Sequence, residues 1–542
     1  MKFNARKFKE LTEKDFETAW LSGREIIEEG DPNRNYPRLG YSHGEEHPLF
    51  KTVEMLRRAY VSMGFKEVVN PIIVEDVHVR KQFGKEALAV LDRCFYLASL
   101  PKPNIGISMD RIEKIRSITG KDFDEEELRR VFHTYKKGKL DGDDLSYEVA
   151  KVLKVDDLTA IRVIDEVFPE FKELKPEPSR LTLRSHMTTG WFITLSELAD
   201  KLPLPIRLFS VDRCFRKEQG EDATRLYSYF SASCVVVDEK VTVDDGKAVA
   251  EALLKQFGFE KFRFKPDEKR SKYYIPGTQT EVYAFYPKLV GSKTKYSDGW
   301  VEIATFGVYS PTALAEYDID YPVMNLGLGV ERLAMILFGY DDVRRLVYPQ
   351  FFGEVRLSDL EIARAIRVKE VPRSATGFEI AKSIASTAEK NANAESPCSF
   401  LAFEGEIYGR KVRVFVEETE ANSKLCGPAF ANEIVVHGGS VYGVPETEEF
   451  RKLFEEGVRC GIRYIDAFSF LAASRIEEYA AKGKDEVMVR VRNVEGLSSI
   501  NLTIQENVRN YIVWKGGKID VRGPMFVKVR ALYGDKQPEV AD

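Results

Sequence analysis

Arg213-Cys214-Phe215-Arg216-Lys217-Glu218, followed by Asp222 to Tyr229 and then Ser231-Ala-Ser233, carries residue types that handle a nucleotide. Arg216 offers a fixed, planar cation for a phosphate. The Glu218 carboxylate accepts a hydrogen bond from an exocyclic amine. Tyr229 or Phe230 presents a ring on which a base can stack. The preceding Ile206-Arg-Leu-Phe-Ser-Val alternates in part between apolar and polar residues, and 229–237 reads as a returning strand. The stretch is therefore expected to be two strands joined by a charged loop, 217–225. Taken alone it describes a surface hairpin with solvated charges equally well.

A second stretch narrows the choice. Asn325-Leu-Gly327-Leu-Gly329-Val-Glu331-Arg332 runs into the apolar 333–337, the pattern of a strand end entering a helix. Gly327 and Gly329 allow close backbone approach. Arg332 falls near the helix start, where free N–H groups favour anions. A lone G-x-G says little, and no Walker lysine follows it. Two arginine-bearing elements in this order, with a helix–strand unit upstream at 47–76, are more specific. Together they resemble motifs 1, 2 and 3 of the class II aminoacyl-tRNA synthetases, most closely the archaeal O-phosphoseryl-tRNA synthetases, relatives of the phenylalanyl enzyme's catalytic subunit. The resemblance covers nearly the whole chain, most securely 41–95 and 180–350.

That resemblance implies an α+β protein: an antiparallel sheet flanked by helices, a helical insertion, and a C-terminal mixed α/β RNA-binding domain. It implies ATP-dependent ligation of O-phosphoserine to tRNA(Cys) through an adenylate. Arg216 would hold the α-phosphate and Arg332 the γ-phosphate. Glu218 would read the adenine amine, Tyr229 or Phe230 would stack on the ring, and Glu302 would bind magnesium. His186, Met187, Thr188, Ser231, Ser233 and Asn325 would surround the amino acid. The two serines stand where the phenylalanyl enzyme has a glutamine and a glutamate, so a negative charge is lost. Phosphoserine, with about −1.5 to −2 charges, suits hydroxyls and helix-start N–H groups. Glu418, Glu420 and Phe526 would contact the anticodon. The implied partners are a homotetramer and a downstream enzyme converting phosphoseryl-tRNA to cysteinyl-tRNA. A ligase for another amino acid, such as phenylalanine, and a non-catalytic tRNA-binding paralogue remain alternatives.

Composition bounds these readings. The 542 residues allow two to four domains, and 44% hydrophobic with 31% charged content fits a globular protein. A net charge of −5 means that RNA contacts need local basic patches. Six cysteines at 94, 214, 234, 398, 426 and 460 form no C-x-x-C, so reduced thiols in the cytoplasm are expected. No run is long and apolar enough to span a membrane.

The elements that must hold the site follow from spacing. Residues 1–40 read as a helical extension ending near Asp31-Pro32, and 41–103 as the first catalytic part. There a helix from Pro48 to Gly64 precedes a strand through Pro71, which proline confines to a sheet edge that a partner would cover, or the protein's own loops. Helical stripes at Ile112-Ile115-Ile118, after Asp124 and after Asp156 or Asp157 make 104–178 an insertion. Asp141-Gly-Asp143-Asp144 fails calcium-loop spacing and reads as a solvated turn. Residues 179–350 resume the core: a strand ending at Arg184, a helix from Thr188 whose start can hold an anion, a helix at 241–257 and strands at 262–265, 280–285 and 300–307. Glu302 on such a strand would hold magnesium or form a buried ion pair with an arginine. A basic aromatic loop is expected at 269–274. Residues 351–542 read as a connector with a helix at 359–368, then mixed strands and helices. Lys515, Lys518, Arg522, Lys528 and Arg530 there interleave with Trp514 and Phe526, as single-stranded RNA or plain solvation would have it.

Overall fold

The chain opens with α1 (Ala5–Lys14), capped by Asn4, and α2 (Phe16–Ser22), capped by Asp15. The computed structural model describes residues 3–23, 45–267, 271–291 and 296–534. The expected end of the N-terminal extension at Asp31-Pro32 and the first residues of the basic aromatic loop lie outside them. Contacts divide the chain into one unit over 44–354 and a second comprising 1–43 with 355–542.

The first unit is built on a seven-stranded sheet. Helix α3 (Pro48–Ser62) carries proline in its first turn, and the His47 ring accepts from the Leu49 N–H at 3.2 Å. Next come β1 (Lys66–Glu67) and β2 (Ile73–Glu75). The strand expected through Pro71 is thus broken in two. The Asn70 and Pro71 carbonyls turn inward to Arg184 Nη1 at 2.7 and 3.1 Å instead of joining a ladder. Two short helices, α4 (Val77–Phe83) and α5 (Ala87–Leu91), lead to β3 (Tyr96–Ser99).

The insertion holds four helices, α6 (Met109–Thr119), α7 (Glu125–Lys136), α8 (Gly142–Leu153) and α9 (Asp157–Val167), around its own apolar core. Gly120 ends α6 in the left-handed region, and Asp124 and Asp156 cap α7 and α9. Helix α8 is one more than the spacing predicted. Asp141 stands at its N-cap with Asp143 and Asp144 in its first turn, so the acidic run favours a helix start.

Strand β4 (Glu177–Leu183) pairs with β2 and β3 in a small sheet. Helix α10 (Met187–Leu198), β5 (Ile206–Phe215), β6 (Ser228–Val237) and α11 (Val243–Lys255) follow, then β7 (Lys261–Pro266), β8 (Thr280–Phe285), β9 (Trp300–Val308), α12 (Pro311–Ala315), β10 (Val323–Gly329) and α13 (Val330–Phe338). The main sheet runs β1-β5-β6-β10-β9-β8-β7, antiparallel except for the β1–β5 pair at one edge. Alternation along β6 divides two cores. Phe230, Ala232 and Cys234 face α3, α11 and α13, whereas Val235 and Val237 face α10 and α12.

The second unit contains two four-stranded sheets. One orders β12 (Cys398–Ile407), β13 (Arg410–Glu418), β20 (Gly523–Tyr533) and β17 (Glu486–Val494). The other orders β16 (Val458–Arg463), β14 (Glu433–His437), β15 (Ser440–Val444) and β19 (Ile519–Asp520). Short β11 (Ile366–Val368) pairs with β18 (Leu502–Ile504), so the helix expected to Val368 stops at Ala365. The helices Ala375–Asn391 and Tyr464–Ala481 supply most of the buried small side chains of this unit.

Candidate active site

Strands β5 and β6 pair over ten residues, Ile206↔Val237 to Phe215↔Ser228, and Arg216 stands where they part. Its own N–H donates to Tyr227 O at 2.8 Å, and its guanidinium sits 5.2 Å from the Tyr229 ring centre. The Tyr229 hydroxyl donates to Ser185 O at 2.8 Å. Arg216 Nε reaches the same carbonyl at 3.4 Å, so cation and ring share one anchor. Beneath them Arg184, 1% exposed, donates to Asp212 Oδ2 at 2.6 Å and Arg213 O at 2.9 Å as well as the Asn70 and Pro71 carbonyls. Every arm of this guanidinium is paired, so it ties three segments together rather than meeting a ligand. Nothing in the sequence marks that role beyond a strand ending there.

Arg216, Glu218, Tyr229, Glu302, Glu331 and Arg332 line one cavity of ≈ 390 Å³. Gly327 and Gly329 of β10 form part of its wall. Of the two proposed stacking rings only Tyr229 faces it. Phe230 points to the other side of the sheet, its ring 5.8 Å from Phe50 and 4.6 Å from the Arg213 guanidinium, because neighbouring strand residues face opposite ways. Arg332 Nη1 donates to Glu302 O at 2.8 Å and stands 3.6 Å from the Glu302 carboxylate. An arginine–carboxylate pairing is therefore present, but it is half-exposed and not the buried ion pair weighed above. Both side chains stay open to the cavity, 49% and 39% exposed, and can turn to phosphate and metal. No group of three or more metal-ligating side chains occurs among the described residues.

Beside this cavity α10 begins without a side-chain cap. The N–H groups of its first turn, Met187 and Thr188 among them, lack intrahelical acceptors and favour an anion. The Thr188 hydroxyl lies beside the phenols of Tyr273 and Tyr309. His186, partly accessible yet densely surrounded, has its pKa pushed down to about 3 by burial and then by the Arg216 and Arg93 cations. It is neutral at pH 7, with Nδ1 3.2 Å from Ser185 Oγ.

Ser233 and Asn325 are used differently from the expectation. The Ser233 hydroxyl accepts from Trp191 Nε1 at 2.9 Å and Asn325 Nδ2 at 3.0 Å, and donates to Leu326 O at 2.9 Å. Asn325 Oδ1 in turn accepts from the Tyr274 hydroxyl at 2.8 Å. Both residues are buried, and their polar atoms are spent inside the protein, where an unpaired group is costly. They hold the pocket floor. Ser231, half-buried opposite Gly329, makes no side-chain hydrogen bond among the described residues. Sequence reasoning missed Trp191 and Tyr274. Gly307 is the sign that was available: a Cβ there would come within 2.7 Å of the Tyr274 ring, so the glycine admits the tyrosine.

In the second unit Glu418 ends β13, 1% exposed. It accepts the Thr419 and Glu420 N–H groups at 2.8 and 2.9 Å and Arg490 Nη2 with both oxygens at 3.0 and 3.1 Å. Its acceptors are thus engaged. Exposed Glu420 pairs with Arg490 at 3.0 Å and with Arg492. Phe526 is half-buried at φ +52°, with its ring against Gly427. Of the three proposed anticodon residues, Glu420 is the one with an exposed polar group.

Residues 102–355 match the family model described as tRNA synthetases class II core domain (F). Residues 432–462 match that of the O-phosphoseryl-tRNA synthetase C-terminal domain. The O-phosphoserine--tRNA(Cys) ligase of Archaeoglobus fulgidus is 70% identical over 531 residues, covering 98% of this chain and 99% of that one. The ligase of the same name from Methanothrix thermoacetophila is 56% identical, covering 99% and 100%. That of Methanocaldococcus jannaschii is 52% identical, covering 98% and 99%.

Proposed function

This chain belongs to the O-phosphoserine--tRNA(Cys) ligase family of class II aminoacyl-tRNA synthetases, and from that premise we infer that it ligates O-phosphoserine to tRNA(Cys) at the expense of ATP. The observation that carries the reading is the convergence on one cavity of Arg216, Tyr229 and Arg332, beside an uncapped helix start.

ATP lies with its adenine on Tyr229, its exocyclic amine toward Glu218, its α-phosphate against Arg216 and its γ-phosphate against Arg332. An oxygen of the amino-acid carboxylate attacks the α-phosphorus. The bond to the β-phosphate breaks, pyrophosphate leaves, and an aminoacyl-adenylate remains. Arg216 stabilises the charge that builds on the α-phosphoryl oxygens, and Arg332 holds the leaving group in line. The terminal ribose hydroxyl of the tRNA then attacks the acyl carbon and AMP departs. Glu302 is the carboxylate suited to hold a magnesium ion. Its half-exposed oxygens fit an ion that takes one or two carboxylates and completes its shell with phosphate and water. That ion, when bound, neutralises phosphate charge.

Specificity rests on the α10 start with Thr188 and Ser231, which offer donors and no negative charge to a phosphomonoester. Tyr274, Asn325, Ser233 and Trp191 fix the floor beneath them. A site made of donors also rejects an uncharged side chain that leaves those donors unpaired. The anticodon is assigned to the second unit, with Glu420 and Phe526 as contacts and Glu418 fixing Arg490. Exposed Val69 (85%), two residues beyond the edge strand β1, and Ile73 (52%) on β2 need a cover, which supports pairing into a dimer and, within the family, a tetramer. ATP–pyrophosphate exchange with phosphoserine, serine, phenylalanine and cysteine tests the reading. Exchange with phosphoserine alone is expected, and preference for phenylalanine would overturn it.

A further inference from the structure

One buried carboxylate of this site has no part in the chemistry above. Glu331 is 7% exposed, and its Oε1 accepts the Phe230 N–H at 2.7 Å. The reason lies in where the ladder stops. Strand β10 pairs with β6 as far as Gly329↔Ser231, and the chain then turns into α13. The next β6 amide toward β10 finds no strand carbonyl. A buried N–H left unpaired there would be costly. The Glu331 side chain reaches back and supplies the missing acceptor.

The bond joins two functional positions. On β6, Phe230 is next to Tyr229, the ring proposed to carry adenine. On α13, Glu331 is next to Arg332, the cation proposed for the γ-phosphate. The Arg213 guanidinium, paired across the hairpin from Phe230 and 4.6 Å from its ring, supports the carboxylate from β5. We propose that Glu331 is a positioning residue for ATP, which sets the span between the Tyr229 platform and Arg332 by taking the place of a strand carbonyl at the end of β10. The inference rests on the nucleotide-site reading above and adds how the site keeps its length. An acceptor is what the position requires, and a formal charge is not. Burial pushes the Glu331 pKa up to about 7, so the neutral acid is well populated at neutral pH and its carbonyl oxygen still accepts. Glutamine has the same reach and an acceptor oxygen. Aspartate has the charge and falls one methylene short.

The test measures binding of a non-hydrolysable ATP analogue by calorimetry with no amino acid present, and KM against kcat for ATP in pyrophosphate exchange. Glu331→Ala and Glu331→Asp should each weaken analogue binding roughly 5- to 100-fold, the range for leaving a buried N–H without its acceptor. The KM for ATP should rise with them while the KM for the amino acid stays. Glu331→Gln should recover binding to within about threefold. If aspartate serves as well as glutamine, the reach of the side chain does not matter, and the proposal fails. If alanine binds the analogue as wild type does, the positioning role alone fails. If wild type binds no analogue, the nucleotide-site reading falls with it. Should alanine not fold, the contrast between aspartate and glutamine decides.

Discussion

Replacing Ser233 by alanine separates a floor residue from a substrate ligand. The hydroxyl accepts from Trp191 Nε1 at 2.9 Å and Asn325 Nδ2 at 3.0 Å while donating to Leu326 O at 2.9 Å. Alanine leaves the fully buried indole N–H without an acceptor, at about 1–3 kcal/mol. Asn325 loses less, because its Nδ2 keeps the Cys234 carbonyl at 3.0 Å and the Leu326 carbonyl at 3.4 Å. The expected cost is about 2 kcal/mol, read as a thermal midpoint lowered by several degrees. Asn325 also carries the Tyr274 hydroxyl, so the floor shifts and the KM for phosphoserine rises together with the loss of stability. Thermal unfolding and pyrophosphate exchange on the same preparation report both quantities. An alanine variant that unfolds at the wild-type midpoint yet no longer activates phosphoserine would refute this reasoning and make the hydroxyl a direct contact.

Arg216→Ala should lower pyrophosphate exchange by at least about a hundredfold, the range for removing one preorganised donor. Its unfolding midpoint should stay near wild type, since the side chain reaches only Ser185 O at 3.4 Å and the Tyr229 ring. Glu418→Gln should destabilise the second unit by roughly 3 kcal/mol, because a buried carboxylate is taken from Arg490. Glu420→Gln should instead weaken anticodon discrimination at unchanged stability, and the reverse pattern in denaturation and aminoacylation assays would exchange the two roles. For His186 the folded pKa of about 3 lies below the ordinary 6.5. The unfolded chain then binds more protons between those values, so stability is complete above pH 6.5 and is lost as pH falls toward 3. A His186→Asn variant should lose less stability between pH 7 and pH 5 than wild type.

Local rules made much of the fold readable and stopped where tertiary contacts decide. Asp124, Asp156 and Gly120 bound their helices as caps do, because capping is settled within one turn. The strand through Pro71 broke because the buried Arg184 guanidinium takes the Asn70 and Pro71 carbonyls, a contact over a hundred residues apart that no window reveals. At the site, Arg216, Glu218, Glu302 and Arg332 were legible because their chemistry is carried by residue type. The choice between Tyr229 and Phe230 was not, since it depends on which face of β6 meets the cavity. Ser233 and Asn325 have the residue types of ligands and the hydrogen bonds of a scaffold. Only the positions of Trp191 and Tyr274 reveal that.

The most direct measurement is the mass of the acyl group that the purified protein attaches to tRNA(Cys) when given ATP, magnesium and an equimolar mixture of phosphoserine, serine, phenylalanine and cysteine. The donor-lined α10 start predicts a phosphoseryl adduct that disappears when ATP is withheld. A seryl, phenylalanyl or cysteinyl adduct, or none, would contradict the account.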